Sequence, residues 1–210
     1  MGGRLCQFAE RWQGVTEDKW LLDMLAFGYR VEFTGSCRLS KCPVWTRVPQ
    51  KPERLEDLRQ GLSDLLAKNA ISEVYPSRDQ QGLFSTLFLT EKKSGGWRPI
   101  LNLKRLNKAV VPKKFKMETL RSVLSDLGES RLRRETEAAL DPARFPEPGP
   151  WAVSLDLKDA YFHVRIHPEH TKYFRFAFEG KIYEFQVLPF GLSTAPRAFT
   201  RVVRALASFL

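Results

Sequence analysis

Residues 151–169 read WAVSLDLKDAYFHVRIHPE, and this stretch decides the fold. The run Trp151 to Leu155 is apolar and uncharged, as a buried strand is, and it delivers Asp156 and then, three residues later, Asp159, Ala160 and Tyr161. A carboxylate at the end of a buried strand is costly unless something cationic compensates it. Divalent ions bound to phosphates would do so. A strand-end Asp that caps the following turn is the simpler alternative, and from these residues alone both readings stand.

Downstream, FRFAFEGKIYEFQV (residues 174–187) alternates about Gly180 and predicts a β-hairpin, and Ala195 to Leu210 predicts an apolar helix. Upstream, GESRLRRETEAALDPARFPEPGP (residues 128–150) has four prolines in its last nine residues and a dense charge mix. It predicts a solvent-exposed, poorly ordered insertion. Met117 to Leu127 reads as helical. STLFLTEKK and WRPILNL flank Ser94, Gly95 and Gly96, which predicts a second hairpin over residues 85–103. Leu55, Leu58, Leu62, Leu65 and Leu66 recur at three and four, giving an amphipathic helix from Glu53 to near Asn69. Residues 4–33 read as two short helices and a strand, YRVEF, after a helix stop at Gly28. TGSCRLSKCPVWTRVPQKP (residues 34–52) is turn-rich and reads as an irregular linker.

The 210 residues, 43% hydrophobic with five Trp and fifteen Phe, support a sizeable core. No uncharged apolar run approaches the roughly 18 residues of a membrane span, and MGGRLCQFAERW lacks the apolar core of a signal peptide. The expected setting is intracellular, cytoplasmic or nuclear, with no membrane partner. Three cysteines, Cys6, Cys37 and Cys42, do not make a disulfide framework, and Cys37 and Cys42 lack the second half of a zinc site. The net charge of +10 is concentrated: Lys92, Lys93, Arg98, Lys104, Arg105, Lys108, Lys113, Lys114 and Lys116 occur with no acidic residue between Lys92 and Met117. Such a stretch suits a polyanion.

LDLKDAYFHV resembles the first palm motif of reverse transcriptases, and four more blocks agree in order. LFLTEKKSGGWRPILNLKRLNK resembles the fingers hairpin, FKMETL the helix entering the palm, FRFAFEGKIYEFQVLPFG the hairpin behind the primer, and LPFGLSTAPRAF the block opening the next helix. GGRLCQFAERW, WLLDMLAFGYRVEF and FKMETL look most like the tyrosine-recombinase retrotransposons of the DIRS type, while LPFGLSTAP is also close to gypsy-like elements.

The resemblance implies RNA-directed DNA polymerisation with Mg2+, a template–primer of RNA or DNA, and deoxynucleotides. Asp156 is implied as a ligand of both metal ions. The backbone of Asp159 and Ala160 would face the triphosphate, and Tyr161 would lie under the deoxyribose and exclude a 2′ hydroxyl. Lys93 and Arg98 match cations that hold the incoming triphosphate, with Lys92 the alternative register. Lys92, Lys104, Arg105, Lys113, Lys114 and Gly191 are implied for template or primer, and Phe190 for the wall of the nucleotide pocket. Asn102 stands where relatives often carry Asp. Gly191 and Pro196 would shape the turn into the last helix. His163, His167 and His170 read as surface or stacking residues.

The expected fold is α+β: an N-terminal extension and linker (residues 1–50), fingers (51–112), and the start of a palm (113–210) with the hairpin 173–190 and the insertion 128–150. No two aspartates are adjacent in the chain, so the Tyr-x-Asp-Asp motif that follows this helix in relatives is expected to be missing from these residues, as are the thumb, connection and RNase H regions. The chain alone is therefore expected to be inactive. The alternative is a remnant that binds nucleic acid without chemistry.

Overall fold

The computed structural model describes residues 2–75, 81–91, 95–117, 119, 121, 125, 128 and 156–209. The chain divides into two compact units, one of Met1–Lys113 with Asp159–Leu210 and the other of Lys114–Lys158.

In the first unit a 3-10 turn at Arg4–Phe8 leads into α1 (Ala9–Trp12), α2 (Lys19–Phe27) and α3 (Pro52–Ala67). Strands β1 (Ile71–Val74), β2 (Phe84–Ser85), β3 (Leu87–Glu91) and β4 (Trp97–Leu101) follow, then the short α4 (Lys104–Ala109). After two 3-10 turns, Ala160–His163 and Pro168–Phe174, come β5 (Arg175–Phe178), β6 (Lys181–Phe185) and α5 (Ala195–Phe209).

The helix α3 forms where the leucine spacing predicts it. Leu58, Leu62 and Leu65 are its buried stripe, Pro52 opens it where a missing N–H costs nothing, and the left-handed Asn69 (φ 53°) follows it. The β5–β6 hairpin turns through Glu179 and Gly180, both at positive φ, which matches the twist of its strands. That turn sets the register, so Arg175 lies opposite Glu184. A four-stranded sheet results in the order β1-β6-β5-β2, antiparallel except where β2 runs parallel to β5.

All of β5 is buried, which makes Arg175 an expensive residue there. Glu184 Oε2 accepts from Arg175 Nε at 3.0 Å, the Gln81 carbonyl accepts from Nη1 at 3.2 Å, and Glu184 Oε1 accepts from Gln186 Nε2 at 3.1 Å. The charge is matched on both sides.

YRVEF does not form the expected strand. Tyr29 bridges to Ile166 and Phe33 to Val110, two different partners, so no ladder extends. Residues 34–52 hold neither helix nor strand beyond the first residue of α3, as read, yet they lie along the sheet. Ser40 bridges to Gly82, Trp45 bridges to Ala177, and Thr46 Oγ1 accepts from the Leu87 N–H at 3.0 Å. The core joins both ends of the chain, with Leu21, Met24 and Leu25 of α2 in one cluster with Phe162, Ile166, Ala195 and Val202.

Of the second unit, Phe115, Met117, Asp156 and Leu157 are exposed. Residues 129–155, which hold most of the expected insertion and the expected strand before Asp156, lie outside the described residues, as does most of the expected helix from Met117 to Leu127. Among the described residues no helix is long and apolar enough to cross a membrane.

Candidate nucleotide and template site

The turn Ala160–His163 begins at Asp159, a non-glycine residue in the left-handed region (φ 54°, ψ 38°). Its carbonyl accepts from the Phe162 N–H at 2.8 Å, and its carboxylate pairs with Lys68 Nζ at 2.8 Å. The turn is tied down at its far end too, because the Phe162 carbonyl accepts from the Gly3 N–H at 2.7 Å. Tyr161 therefore projects from a fixed backbone.

The Tyr161 ring lies 5.1 Å from Phe190 and 5.7 Å from Phe199, edge-on to the latter, and Phe190 meets Phe162 at 5.5 Å. Aromatic pairs in such tilted and edge arrangements gain roughly 0.5–1.5 kcal/mol beyond their burial. Burial raises the Tyr161 phenol above its ordinary pKa, which keeps the hydroxyl protonated at neutral pH. The tyrosine is thus a neutral, half-buried wall.

Phe190 leads into a turn whose Gly191 sits at φ +97°, a conformation that side chains resist. A Cβ there would also stand 3.4 Å from the Leu101 carbonyl oxygen. One side chain holds this turn: Asn107 of α4 donates from Nδ2 to the Gly191 carbonyl at 2.8 Å and accepts at Oδ1 from the Ser193 N–H at 2.9 Å. Sequence reasoning missed Asn107. Its only signal is an amide on a short basic helix, and its partners lie more than 80 residues away.

Beside Gly191 a groove of about 370 Å³ opens between the β3–β4 hairpin and α4, lined by Phe88, Leu101, Asn102, Lys104, Asn107 and Gly191. A smaller recess of about 130 Å³ shares Asn102 and Lys104 with it and adds Val44 and Arg105. Lys104 and Arg105 are both exposed. The structure brings together Tyr161 with Phe190, and Gly191 with Lys104 and, through the shared recess, Arg105.

Other expected site residues stand elsewhere. Arg98 is exposed on β4 opposite Thr90, and the guanidinium of Arg54 lies over the neighbouring Trp97 ring at 4.9 Å. Lys113 is engaged by Glu32 at 2.6 Å. Lys92 and Lys93 lie outside the described residues, and Lys114 and Asp156 are exposed residues of the second unit. His170 stacks on Phe33, as the stacking reading expects, and its Nδ1 accepts from the Val31 N–H at 3.0 Å. Among the described residues no three His, Cys, Asp or Glu side chains gather as a metal would require. Asp156 by itself is one carboxylate and not a two-ion site.

Residues 90–210 match the sequence profile of the reverse transcriptase (RNA-dependent DNA polymerase) family. The chain belongs to that family. It is 27% identical over 177 residues to the Gag-Pro-Pol polyprotein of squirrel monkey retrovirus, covering 78% of this chain and 8% of the polyprotein. It is 26% identical over 184 residues to the Pol polyprotein of equine infectious anemia virus (strain Wyoming), covering 84% and 14%. A Pol polyprotein from transposon 412 of Drosophila melanogaster is 25% identical over 167 residues, covering 77% and 12%. The chain thus spans a small part of the length of these curated relatives.

The crystal structure of prototype foamy virus protease–reverse transcriptase superposes with a TM-score of 0.57 at 19% identity, covering 86% of this chain and 21% of that one. The fold is accordingly α+β, that of the fingers and part of the palm of a reverse transcriptase.

Proposed function

We propose that this reverse transcriptase chain supplies the fingers and the first part of the palm of a retrotransposon RNA-directed DNA polymerase. The stretches GGRLCQFAERW, WLLDMLAFGYRVEF and FKMETL support an element of the DIRS type. The observation that carries the reading is the pairing of Tyr161 with Phe190 at 5.1 Å, beside a Gly191 turn that Asn107 fixes against an open groove. In this reading the Tyr161–Phe190 wall receives the sugar and base of an incoming deoxynucleotide. The left-handed turn at Asp159 offers backbone N–H groups to its triphosphate, and Lys93 and Arg98 close on the same phosphates from the hairpin. Lys104, Arg105 and Gly191 lie along a template strand, joined by Lys92, Lys113 and Lys114, and Lys113 would have to leave Glu32 to take part.

The full polymerase reaction in this reading is a two-metal nucleotidyl transfer with magnesium, to which this chain brings Asp156. No two aspartates are adjacent in the sequence and no ion site is complete among the described residues, so the 210 residues alone are proposed to lack polymerase activity. Substrates of this kind place the work in the cytoplasm or nucleus.

Titration of the purified chain with a template–primer tests the reading. Binding is weak, shows little sequence preference, and falls steeply as salt rises. Replacing Lys92, Lys93 and Arg98 together by Ala flattens the slope of log affinity against log salt by roughly 1 to 3 units, at about 0.7 to 0.9 per phosphate contact. An unchanged slope in that triple variant removes the hairpin from the binding surface. Templated incorporation by the unextended chain, on an RNA template with deoxynucleotides and magnesium, would overturn the inactivity.

A further inference from the structure

The N-terminal segment meets the residue that precedes α5 at a buried polar contact. The Tyr29 hydroxyl and Thr194 Oγ1 lie 2.6 Å apart, the hydroxyl donating, at residues only 5% exposed and 165 positions apart in the chain. Thr194 is the last residue before α5, and its carbonyl accepts the first helical bond, from the Ala198 N–H at 3.0 Å. It stands three residues after Gly191 and directly after Ser193, whose N–H Asn107 holds. A bond to Thr194 therefore fixes the start of the helix that carries Phe199 and anchors the segment that runs from Phe190 into it, and Phe190 and Phe199 are the two rings that hold Tyr161.

Tyr29 is itself rigid. Its N–H donates to the Arg165 carbonyl at 2.7 Å and its carbonyl accepts from the His167 N–H at 3.0 Å. The preceding Gly28, at φ +99°, permits this approach, because a Cβ there would stand 2.6 Å from the His167 nitrogen. Burial raises the Tyr29 phenol pKa, so the hydroxyl stays a donor across the neutral range.

A second joint fixes the same helix one to two turns further along. The Trp20 ring meets the edge of Tyr29 and receives the guanidinium of Arg201 at 4.5 Å and that of Arg197 at 5.4 Å. Asp18 caps α2 through the N–H groups of Trp20 and Leu21, and its other carboxylate oxygen accepts from Arg201 Nη2. Helix α5 is thus held from one side by Tyr29, Trp20 and Asp18 and meets Tyr161 on another.

We infer that Tyr29 is a positioning residue of the nucleotide site, acting through Thr194 and α5 on the Phe190–Tyr161–Phe199 wall. Residues 18–29 are then part of the polymerase site's support. The inference rests on the reading of Tyr161 and Phe190 given above. Tyr29→Phe removes only the hydroxyl, and Thr194→Val removes its acceptor, while Thr194→Ser keeps it.

The test records the aromatic ring resonances of Tyr161, Phe190 and Phe199 by NMR in the full chain. It then titrates in a dideoxy-terminated template–primer with the complementary deoxynucleoside triphosphate and magnesium. Tyr29→Phe and Thr194→Val are expected to shift the three rings and leave those of Phe88 and Trp97 in place, and Thr194→Ser to retain the wild-type positions. The deoxynucleotide binds about twofold to tenfold more weakly to the first two variants, the range that one net hydrogen bond supplies. Rings unmoved in a folded Tyr29→Phe protein overturn the inference. If Tyr29→Phe does not fold, Thr194→Val is held to the same two outcomes. Rings that move on substitution while the wild-type rings ignore the nucleotide leave the positioning role standing and sink the nucleotide reading instead.

Discussion

Helix α2 and the β3–β4 hairpin put their side chains to opposite uses. In α2, Leu21, Met24 and Leu25 are 0–3% exposed, and the helix is capped, ion-paired and packed into the common core. Among the described residues of the hairpin only the ends, Leu87 and Leu101, are buried; Phe88 is 49% exposed and Arg98 stands in solvent. Burial stabilises in proportion to apolar area removed from water, so α2 contributes stability and fixed geometry. The hairpin contributes exposed charge, which adds little to folding and in the proposed reading serves a polyanion.

The four-stranded sheet sets the upper end of the scale. Arg175→Met leaves the largely covered Glu184 without its cation and is expected to cost about 3–5 kcal/mol, read as a lower urea midpoint. Arg175→Met with Glu184→Leu is expected to recover much of that loss. A mild single variant would show that water reaches the pair.

Leu21→Ala should cost about 2–5 kcal/mol, because the side chain is fully buried and a cavity remains. A cost near that of an exposed site would make the N-terminal segment an appendage and break the comparison. Asp18→Ala removes the α2 cap and the Arg201 ion pair together, and an unfolding shift of about 1–2 kcal/mol is expected. For the hairpin, Lys92, Lys93 and Arg98 changed together to Ala should leave stability within about 0.5 kcal/mol while the salt slope falls. Loss of both would mean that the hairpin also helps to hold the fold.

The smallest effect is a pH dependence. Burial, then His167 and Arg30, hold the His170 imidazole below its ordinary pKa, and its Nδ1 accepts the Val31 N–H only while deprotonated. The folded pKa lies below the unfolded value of about 6.5, so the unfolded chain takes up the proton first. Stability is then full above about pH 6.5 and declines as pH falls below it. Urea midpoints measured across that range for the wild type and for His170→Gln should converge at low pH; parallel curves would assign the decline to other groups.

The site was legible to different depths. Tyr161, Phe190 and Gly191 were marked by the blocks LDLKDAYFHV and LPFGLSTAPRAF, and the structure brings the first two into ring contact. Asn107 and Tyr29 were not marked. An asparagine on a short helix and a tyrosine after a glycine are ordinary residues until their partners arrive, and those partners are 84 to 165 positions away.

What the chain determined by itself is local. The leucine spacing made α3, the glycine-centred turn and alternation made β5–β6, and the ordered blocks carried the family, because periodicity and turn chemistry act within a few residues. Tertiary structure decided which distant pieces meet. It set β2 parallel to β5, gave buried Arg175 its Glu184, split YRVEF between two partners, and laid Tyr29 against Thr194. Those outcomes follow from competition for burial and for hydrogen-bond partners across the whole core, and that competition leaves no period in the sequence.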